Sequence, residues 1–267
     1  MSKKGIFLGL TVALIAAGGL ILASLRRSNP APDPQPSTTD LQTPISNLEL
    51  PEYSADEDII VHTGYTASYN HQTLVPNWVA WELTAEEVAG ECNGSYSFSR
   101  DPDVKDPRAQ REDYKNSGYD KGHMAPRADM KWNEKALEES YYFTNICPQN
   151  HQMNSQGWRK IEELTRRLAK QYGSVYIVCG PIFDDHRFGT IGKNGLQVPD
   201  RFFKAMAVKT DNEIKTVAFI MDNNRQNKSP KHYAVSVDSV EAVIGRNLFP
   251  QVDEAAEQTF DWNIWNR

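Results

Sequence analysis

The feature that most constrains this chain is an uninterrupted uncharged, mainly apolar run close to its start, Gly5–Leu25. A helix of about 20 apolar residues, rising about 1.5 Å per residue, covers the hydrocarbon core of a bilayer. Cleaved secretory signals usually have a shorter apolar region, so the run favours an uncleaved anchor over a leader. A mitochondrial leader is disfavoured, because it would be an Arg-rich and Ser-rich amphipathic helix. We expect residues 1–27 to be a transmembrane anchor or uncleaved signal.

The charges beside this run predict its orientation only weakly. Lys3 and Lys4 flank it on one side, and Arg26 and Arg27 flank it on the other. Positive charge is retained on the cytoplasmic side, and we expect the amino terminus to lie inside the cytoplasm. The expected protein is membrane-anchored, with its globular part periplasmic or extracellular. Cleavage of the segment would instead make the protein secreted.

The rest of the chain divides into a spacer and one domain. Residues 28–57 are rich in Pro, Ser, Thr and Asp, and large apolar residues are scarce before Leu48. Such a composition buries too little apolar surface to offset the entropy of ordering, which predicts a disordered linker. Residues 58–267 suit a single globular domain. The net charge of -6 argues against a protein that coats nucleic acid by bulk electrostatics, but not against a hydrolase with a locally positive cleft.

The domain alternates between strand-like and helix-like patterns. Runs typical of strands are Ile59–Tyr69, Trp78–Leu83, Val175–Cys179, Lys204–Val208 and Thr216–Met221. A helix is predicted over Asn154–Tyr172, with Trp158, Ile161, Leu164 and Leu168 on its inner face. A second is predicted from Ser236, with Asp238 as a cap and Val240, Val243 and Ile244 facing inward. Because the alternation is irregular, we expect an α+β domain with antiparallel sheet rather than a doubly wound one.

The three cysteines do not form a recognisable metal or disulfide framework. Cys92, Cys147 and Cys179 lie far apart, without a CxxC pair. At most one disulfide can form, which leaves one thiol free. We expect them to be mainly small buried residues, as unpaired cysteines usually are.

Polar and charged residues concentrate in Gly118–Met130. They are Asp120, Lys121, His123, Arg127 and Asp129, around a glycine and a proline. A lone histidine in a loop is more often structural than catalytic. Here a glycine beside it permits unusual backbone angles and close approach of a ligand, and Lys121 is a compact cation suited to a phosphate. These neighbouring residues favour a catalytic role for His123.

A second polar group lies on the predicted helix. Asn154, Trp158, Glu162 and Arg166 are spaced by four, so they form one stripe. A structural alternative stays open: Trp158 would anchor a core face, and Glu162 would pair with Arg166. For those two charged residues alone, that alternative is the better one. The amide oxygen of Asn154, near a helix start, is a reasonable hard ligand for Mg²⁺.

Together the two segments resemble the sugar-nonspecific DNA/RNA endonucleases, ββα-metal nucleases that include endonuclease G-like enzymes. The family hallmark is Asp-Arg-Gly-His, followed downstream by Asn within a Leu-Asn-Gln-x-x-Trp-x-x-Leu-Glu run. This chain has Asp120-Lys121-Gly122-His123 and, at a matching spacing, the run Met153–Glu162. The similarity covers about Ile59–Pro250. It implies an α+β, ββα-metal (His-Me finger) fold with a mainly antiparallel central sheet and flanking helices.

The resemblance also implies roles for individual residues. His123 would be the general base, Asn154 the sole direct metal ligand, and Glu162 the holder of waters bound to the metal. Lys121 and Arg166 would lie against the scissile phosphate, with Asp120, Asn145 and Gln149 supporting the site. The metal would be Mg²⁺ or another divalent cation such as Mn²⁺. The substrates would be DNA and RNA, cleaved with little sequence specificity to leave 5′-phosphate ends.

The chain departs from the family pattern at Lys121, where Arg is the commoner residue. Lysine presents a point charge where arginine presents a planar, bidentate donor. We expect this difference to affect the catalytic efficiency and the preference between substrates, but not the type of reaction. His151, close to Asn154, is an additional residue that we treat as a surface or supporting group.

Two other functions are compatible with parts of the sequence. A noncatalytic, membrane-held nucleic-acid receptor would use the same cleft, but a binding protein does not need a general base. A structural cell-envelope protein would explain the anchor and spacer and would leave the polar residues unexplained. The sequence leaves the oligomeric state open, a homodimer included.

Overall fold

The computed structural model describes residues 47–266. The predicted transmembrane helix at Gly5–Leu25 and the predicted linker up to residue 46 lie outside the described residues. Within residues 47–266, no helix has the length and apolar character needed to span a bilayer.

Eleven strands are formed by the described residues. They are β1 (Asp58–Val61), β2 (Thr66–Asn70), β3 (Val75–Thr84), β4 (Asp120–His123), β5 (Ile146–Gln149), β6 (Ser174–Ile182), β7 (Thr190–Ile191), β8 (Leu196–Gln197), β9 (Arg201–Lys209), β10 (Ile214–Asp222) and β11 (Ala234–Val235). Seven of them make one sheet in the order β1-β2-β3-β6-β9-β10-β11, while β4 pairs with β5 and β7 with β8.

Six α-helices and several tighter or wider turns flank these sheets in residues 47–266. The helices are α1 (Ala85–Val88), α2 (Glu134–Glu139), α3 (Arg159–Tyr172), α4 (Val237–Ile244), α5 (Glu254–Gln258) and α6 (Trp262–Trp265). Short 3₁₀ turns span Arg111–Tyr114, Arg127–Asp129, Phe143–Asn145 and Pro230–Tyr233, and a π-helical turn spans Met153–Trp158.

Every strand pair in the seven-stranded sheet is antiparallel. The predicted α+β class with an antiparallel sheet is therefore confirmed. The predicted run Ile59–Tyr69 divides into the hairpin β1–β2, because the His62 amide donates to the Tyr65 carbonyl at 2.8 Å and closes a turn. The other strand-like runs fall within β3, β6, β9 and β10.

Apolar side chains cover both faces of the central sheet, because neighbouring residues of a strand point to opposite faces. In β3, Val79 and Trp81 join the core on one face while Trp78 and Ala80 join the core on the other. The first core also receives the inner face of α3, and the second receives α4. Strands β3, β6 and β9 consequently consist almost entirely of buried residues.

Helix α3 covers one face of the sheet through the apolar stripe that the sequence predicted. Trp158, Ile161, Leu164 and Leu168 are all buried. The regular helix starts at Arg159, after the π-helical turn, rather than at Asn154. The Gly157 amide within that turn donates to the Gln226 carbonyl at 3.1 Å, which a side chain at position 157 would crowd. Single π-helical turns of this kind are frequent at functional sites.

Helix α4 begins at the predicted place but differs in two details. The hydroxyl of Ser236, not Asp238, caps it by accepting from the Ser239 amide at 3.2 Å. Val240 is buried as expected, whereas Val243 is 43% exposed and does not belong to the inner face. The helix is short and only a narrow stripe of its residues contacts the sheet, so Val243 lies on the side that faces solvent.

Residues 47–57, part of the predicted linker, lie against the domain. Leu48 is fully buried in the second core. The Glu57 carboxylate accepts from the Ser68 hydroxyl at 2.7 Å and from the Arg246 guanidinium at 2.9 Å. These contacts join the beginning of the described chain to the sheet and to the segment after α4.

The cysteines are free thiols. Cys147 and Cys179 are buried, as expected for small apolar residues, and Cys92 is half-buried.

Leu168→Ala tests the packing of α3 on the sheet. Leu168 is fully buried, so its truncation leaves a cavity and should lower the free energy of unfolding by about 2–5 kcal/mol. Denaturant titration followed by circular dichroism measures this change. Lys170→Ala on the exposed side of the same helix is the matched control, and an equal effect of both variants would contradict the assigned packing.

Candidate active site

A two-stranded unit outside the main sheet carries the first polar segment. Strands β4 and β5 pair antiparallel, with Asp120 opposite Gln149 and His123 opposite Ile146. The chain leaves β5 and passes almost directly into the π-helical turn and α3. The two predicted polar segments thus become one local unit of two strands and a helix.

The Asp120 carboxylate links this strand pair to the start of the helix. It accepts a hydrogen bond from the Asn154 side-chain nitrogen at 2.9 Å and lies 3.0 Å from Nδ1 of His151. Asn154 is half-buried, and its Oδ1 has no hydrogen-bond partner in residues 47–266. Asp120 therefore orients the amide so that its oxygen is free to accept a ligand. His151, which the sequence left as a surface or supporting residue, is 73% exposed and contacts the site through Asp120.

His123 lies against aromatic rings at the end of β4. Its ring centroid is 5.3 Å from that of Phe98 and 5.2 Å from that of Tyr141. Nε2 is buried and has no hydrogen-bond partner among the described residues. Burial, with a smaller effect from Arg127, lowers the pKa of His123 to about 4. The imidazole is therefore neutral at pH 7 and able to accept a proton.

Asn145 fixes the backbone that follows His123. Its Oδ1 accepts from the Ala125 amide at 2.8 Å, and its Nδ2 donates to the carbonyls of Ala125 at 2.8 Å and Ser140 at 2.9 Å. Its own carbonyl accepts from the Met124 amide at 2.9 Å. This buried amide has its hydrogen bonds satisfied within the protein, so Asn145 supports the histidine strand rather than facing a ligand.

Gln149 packs directly on Gly122 across the strand pair. A Cβ atom at position 122 would lie 1.9 Å from Oε1 of Gln149. Gly122 does not have a positive φ, so the glycine is required for space and not for the unusual backbone angles that the sequence suggested. The amide of Gln149 is buried, and neither of its polar atoms has a partner in the described part of the chain.

Lys121 extends over two aromatic rings. Its Nζ lies 5.6 Å from the centroid of Phe98 and 5.4 Å from that of Tyr114. Cation–π contacts of this kind hold an ammonium without neutralising its charge. Phe98 therefore contacts both Lys121 and His123.

The charged residues of α3 do not form the ion pair that the structural alternative required. In residues 47–266 Arg166 pairs instead with the buried Asp129, at 2.9 Å. Glu162 is half-buried and makes no hydrogen bond or ion pair within the described residues. Burial raises the pKa of Glu162 to about 7, with the nearby cations Lys204 and Arg166 opposing the rise. The Trp158 part of that alternative is correct, because Trp158 is fully buried.

Lys204 is a functional candidate that the sequence reasoning missed. Its side chain is fully buried, with Nζ 4.8 Å from the ring centroids of both Trp81 and Trp158. Its nearest polar contact is the Met124 carbonyl at 3.5 Å. The sequence did contain a sign of this role, because Lys204 alternates with Phe202 and Met206 in an apolar strand, and residues spaced by two point to the same face. A buried cation requires opposite charge, which Asp129 and Glu162 supply.

The aromatic residues around His123 were also missed. Phe98 precedes the segments that the motif covers and Tyr141 lies between them, and nothing in their local pattern separates them from core residues. Only the tertiary contacts place them at the site.

The donor set fits a hydrated cation with few protein ligands. Asn154 offers a free amide oxygen, and Asp120 and Glu162 supply carboxylates. In residues 47–266, no group of three or more His, Cys, Asp and Glu residues forms a metal cage. Buried polar atoms that lack a hydrogen-bond partner among the described residues are also found here, on His123, Asp129 and Gln149. Such atoms commonly mark sites of bound water or ions.

Comparisons with known proteins identify the class of the chain. The model of the DNA/RNA non-specific endonuclease family matches residues 43–255. Endonuclease G, mitochondrial, of Bos taurus is 30% identical over 202 residues, covering 70% of this chain and 68% of that protein. Nuclease EXOG, mitochondrial, of Danio rerio is 31% identical over 227 residues, covering 79% and 65%. The chain thus spans about two thirds of the length of these relatives.

A solved structure supports the fold. The crystal structure of the EndoG/EndoGI complex, which addresses the mechanism of EndoG inhibition, matches with a TM-score of 0.72 at 29% identity. The match covers 78% of this chain and 91% of that one. The predicted ββα-metal fold of the domain is therefore confirmed.

This chain belongs to the DNA/RNA non-specific endonuclease family. It is a hydrolase that acts on nucleic acids, as predicted.

The predicted localisation is wrong. We expected a membrane-anchored protein with an extracytoplasmic domain, or a secreted one after cleavage. The two relatives above are both named as mitochondrial nucleases, which does not fit that expectation. The physical reason for the error is that the length and apolarity of a segment bear on membrane insertion and carry no information about the compartment.

Gly122→Ala tests the contact between β4 and Gln149. The added methyl group would overlap the buried Gln149 side chain, so we expect both thermal stability and nuclease activity to fall. Combining it with Gln149→Ala removes the overlapping atoms and should recover part of the lost stability. Thermal unfolding of the two single variants and the double variant measures the coupling, and strictly additive losses would contradict this contact.

The environment of His123 can be measured by NMR on the metal-free protein. Its ring proton should titrate with a midpoint near 4, because burial disfavours the imidazolium. The unfolded chain takes up that proton near pH 6.5, so this group makes the fold lose stability as the pH falls from about 6.5 to 4. His123→Gln should remove that part of the pH dependence. A midpoint near 6.5 would refute the buried environment.

Proposed function

We propose that this protein is a metal-dependent endonuclease that hydrolyses phosphodiester bonds of DNA and RNA with little sequence specificity, leaving 5′-phosphate ends. The observation that carries the proposal is the Asp120–Asn154 hydrogen bond, because it joins the strand that bears His123 to the helix that bears Glu162. Family membership supports the reaction class. The roles of individual residues and the identity of the metal are the proposed part.

His123 acts as the general base in this mechanism. The imidazole is neutral over the whole physiological pH range, and its buried Nε2 has no protein partner in the described residues. It accepts a proton from the attacking water, whose oxygen bonds to phosphorus while the bond between phosphorus and the 3′ oxygen breaks; the departing 3′ oxygen takes a proton from solvent water. Asn145 keeps the strand in place through its hydrogen bonds to the backbone after His123.

The cations Lys121 and Arg166 stabilise the negative charge that develops on the phosphate. Lys121 is held over aromatic rings and forms no ion pair with any acid in the described part of the chain. Arg166 is only partly engaged, because a single one of its nitrogens bonds to Asp129. Fixed cations in a partly water-excluded site stabilise such charge more than they would in bulk water.

Asn154 is the residue proposed to hold the metal directly, with Asp120 orienting its amide and Glu162, further along the same helix, organising the surroundings of the ion. A divalent cation such as Mg²⁺ or Mn²⁺ would supply Lewis-acid stabilisation of the phosphate and of the departing 3′ oxygen. Glu162 is suited to hold the waters of the ion once it is deprotonated, and Lys204 beneath it favours the anion. Gln149 and Asp120 support this arrangement from β5 and β4.

The roles proposed for the site residues concern the phosphate, the attacking water and the metal, and none of these roles involves a base edge. Sequence is recognised through base edges in the grooves, whereas phosphate contacts only position the protein. Weak sequence preference follows. A noncatalytic receptor would have no use for a neutral histidine whose buried Nε2 has no partner in residues 47–266, and the proposed function accounts for it.

His123→Ala tests the proposed general base. We expect plasmid cleavage to fall by more than about a hundredfold while the circular dichroism spectrum stays unchanged. His232→Ala, at an exposed histidine, is the matched control and should retain activity. Near-normal cleavage by a folded His123→Ala protein would remove this residue from the role.

Asn154→Ala tests the proposed ligand. The variant should need a higher Mg²⁺ concentration for half-maximal activity, because the direct oxygen donor is lost. Mg²⁺ titrations of plasmid cleavage, with Asn263→Ala at an exposed position as the control, measure the shift. An unchanged titration would refute Asn154 as the ligand.

A further inference from the structure

Three cations lie together beside the candidate active site. Arg111, Lys115 and Lys121 line one surface pocket, with Glu112 as its only acidic wall among the described residues. Arg111 and Lys115 are exposed, and Lys121 is half-buried. In residues 47–266 none of the three forms an ion pair or a side-chain hydrogen bond. A chain with a net charge of -6 thus concentrates unneutralised positive charge at one place.

The two exposed cations project from a turn that is fixed on both sides. Between them, Asp113 is buried and accepts from the Gln110 amide at 2.9 Å and from Nδ2 of Asn194 at 3.0 Å. Tyr114 is also buried, and its hydroxyl donates to the Ile146 carbonyl at 3.5 Å. The turn is therefore anchored to the β7–β8 loop and to β5. Cations on a fixed base lose less entropy when they bind an anion than cations on a mobile loop.

The pocket is continuous with the environment of His123. Lys121 and His123 are two residues apart on β4, so their side chains point to the same face of the strand pair. Both contact the ring of Phe98, at 5.6 Å and 5.3 Å. Tyr114, from the anchored turn, contacts Lys121 on its other side at 5.4 Å. The pocket therefore adjoins the surroundings of His123 through Lys121 and Phe98.

We propose that Arg111 and Lys115, which share a pocket with Lys121, form a subsite for the backbone phosphates that flank the scissile bond. The substrate is consequently held as a polyanion of several phosphates, and a mononucleotide or a minimal phosphodiester leaves the subsite empty. The inference rests on the proposed function, since it takes His123 to mark the scissile bond. Like charges this close repel one another, and a row of phosphates relieves that repulsion.

Binding without cleavage gives the first test. A fluorescein-labelled single-stranded DNA oligonucleotide is titrated in EDTA, at several salt concentrations, against wild type, Arg111→Gln, Lys115→Gln and Lys170→Gln. Each of the first two substitutions should weaken binding and reduce the slope of log K against log salt by about 0.7, as for one lost phosphate contact. Lys170 is an exposed cation about 24 Å along the helix from Asn154, at about 1.5 Å per residue, and its variant should behave as wild type.

Slopes for Arg111→Gln and Lys115→Gln that equal those of wild type and of the Lys170→Gln control would overturn the subsite. This readout does not depend on catalysis, so it stands even if the protein cleaves nothing.

Kinetics with two substrates give the second test. In Mg²⁺, the double variant Arg111→Gln/Lys115→Gln should show a KM for a long oligonucleotide raised about tenfold or more, with kcat little changed. Its activity on bis(p-nitrophenyl) phosphate, which has no flanking phosphate, should equal that of wild type. An equal loss on both substrates would contradict the subsite, whereas a wild-type protein that cleaves neither substrate would contradict the proposed function instead.

Discussion

The hydrogen bond from the Asn154 amide to the Asp120 carboxylate is the contact on which the site depends. It connects a two-stranded unit outside the main sheet to the helix that packs on that sheet. The helix is fixed by its apolar stripe, and the strand is fixed by Asn145 and by the fit of Gln149 on Gly122. Without this contact, both halves could keep their local structure while the proposed base and ligand lost their relative positions.

The surroundings of the site separate two kinds of electrostatic environment. His123 lies among aromatic rings, which keep it neutral, while Asp129, Glu162, Arg166 and Lys204 form a group of alternating charges on the helix side. Burying the Lys204 ammonium between two indole rings is costly by itself, and the two carboxylates offset that cost. The fold thus places a neutral proton acceptor, His123, next to a group of charged side chains.

Much of this arrangement followed from sequence patterns, and the remainder required tertiary contacts. The spacing of apolar residues along the sequence predicted the inner face of α3, because a helix with one buried face repeats apolar residues every three or four positions. Runs of β-branched and aromatic residues predicted the main strands. Neither pattern predicted Lys204, because a lysine in an apolar strand is ordinarily assigned to the exposed face. The partner of Arg166 was also unpredictable, because Asp129 is distant in sequence while Glu162 is one helical turn away. The role of Gly122 depends on the Gln149 side chain, which reaches it diagonally from the neighbouring strand, and only the tertiary structure shows this contact.

The most direct measurement of the central claim is an endonuclease assay on closed-circular plasmid DNA and on a folded RNA, with purified protein in Mg²⁺ and in excess EDTA. The account predicts that both polymers are degraded in Mg²⁺, that EDTA stops both reactions, and that the DNA products carry 5′-phosphates that a ligase can join. Cleavage that continues unchanged in EDTA, or a folded protein that cuts neither polymer in Mg²⁺ or Mn²⁺, would contradict it.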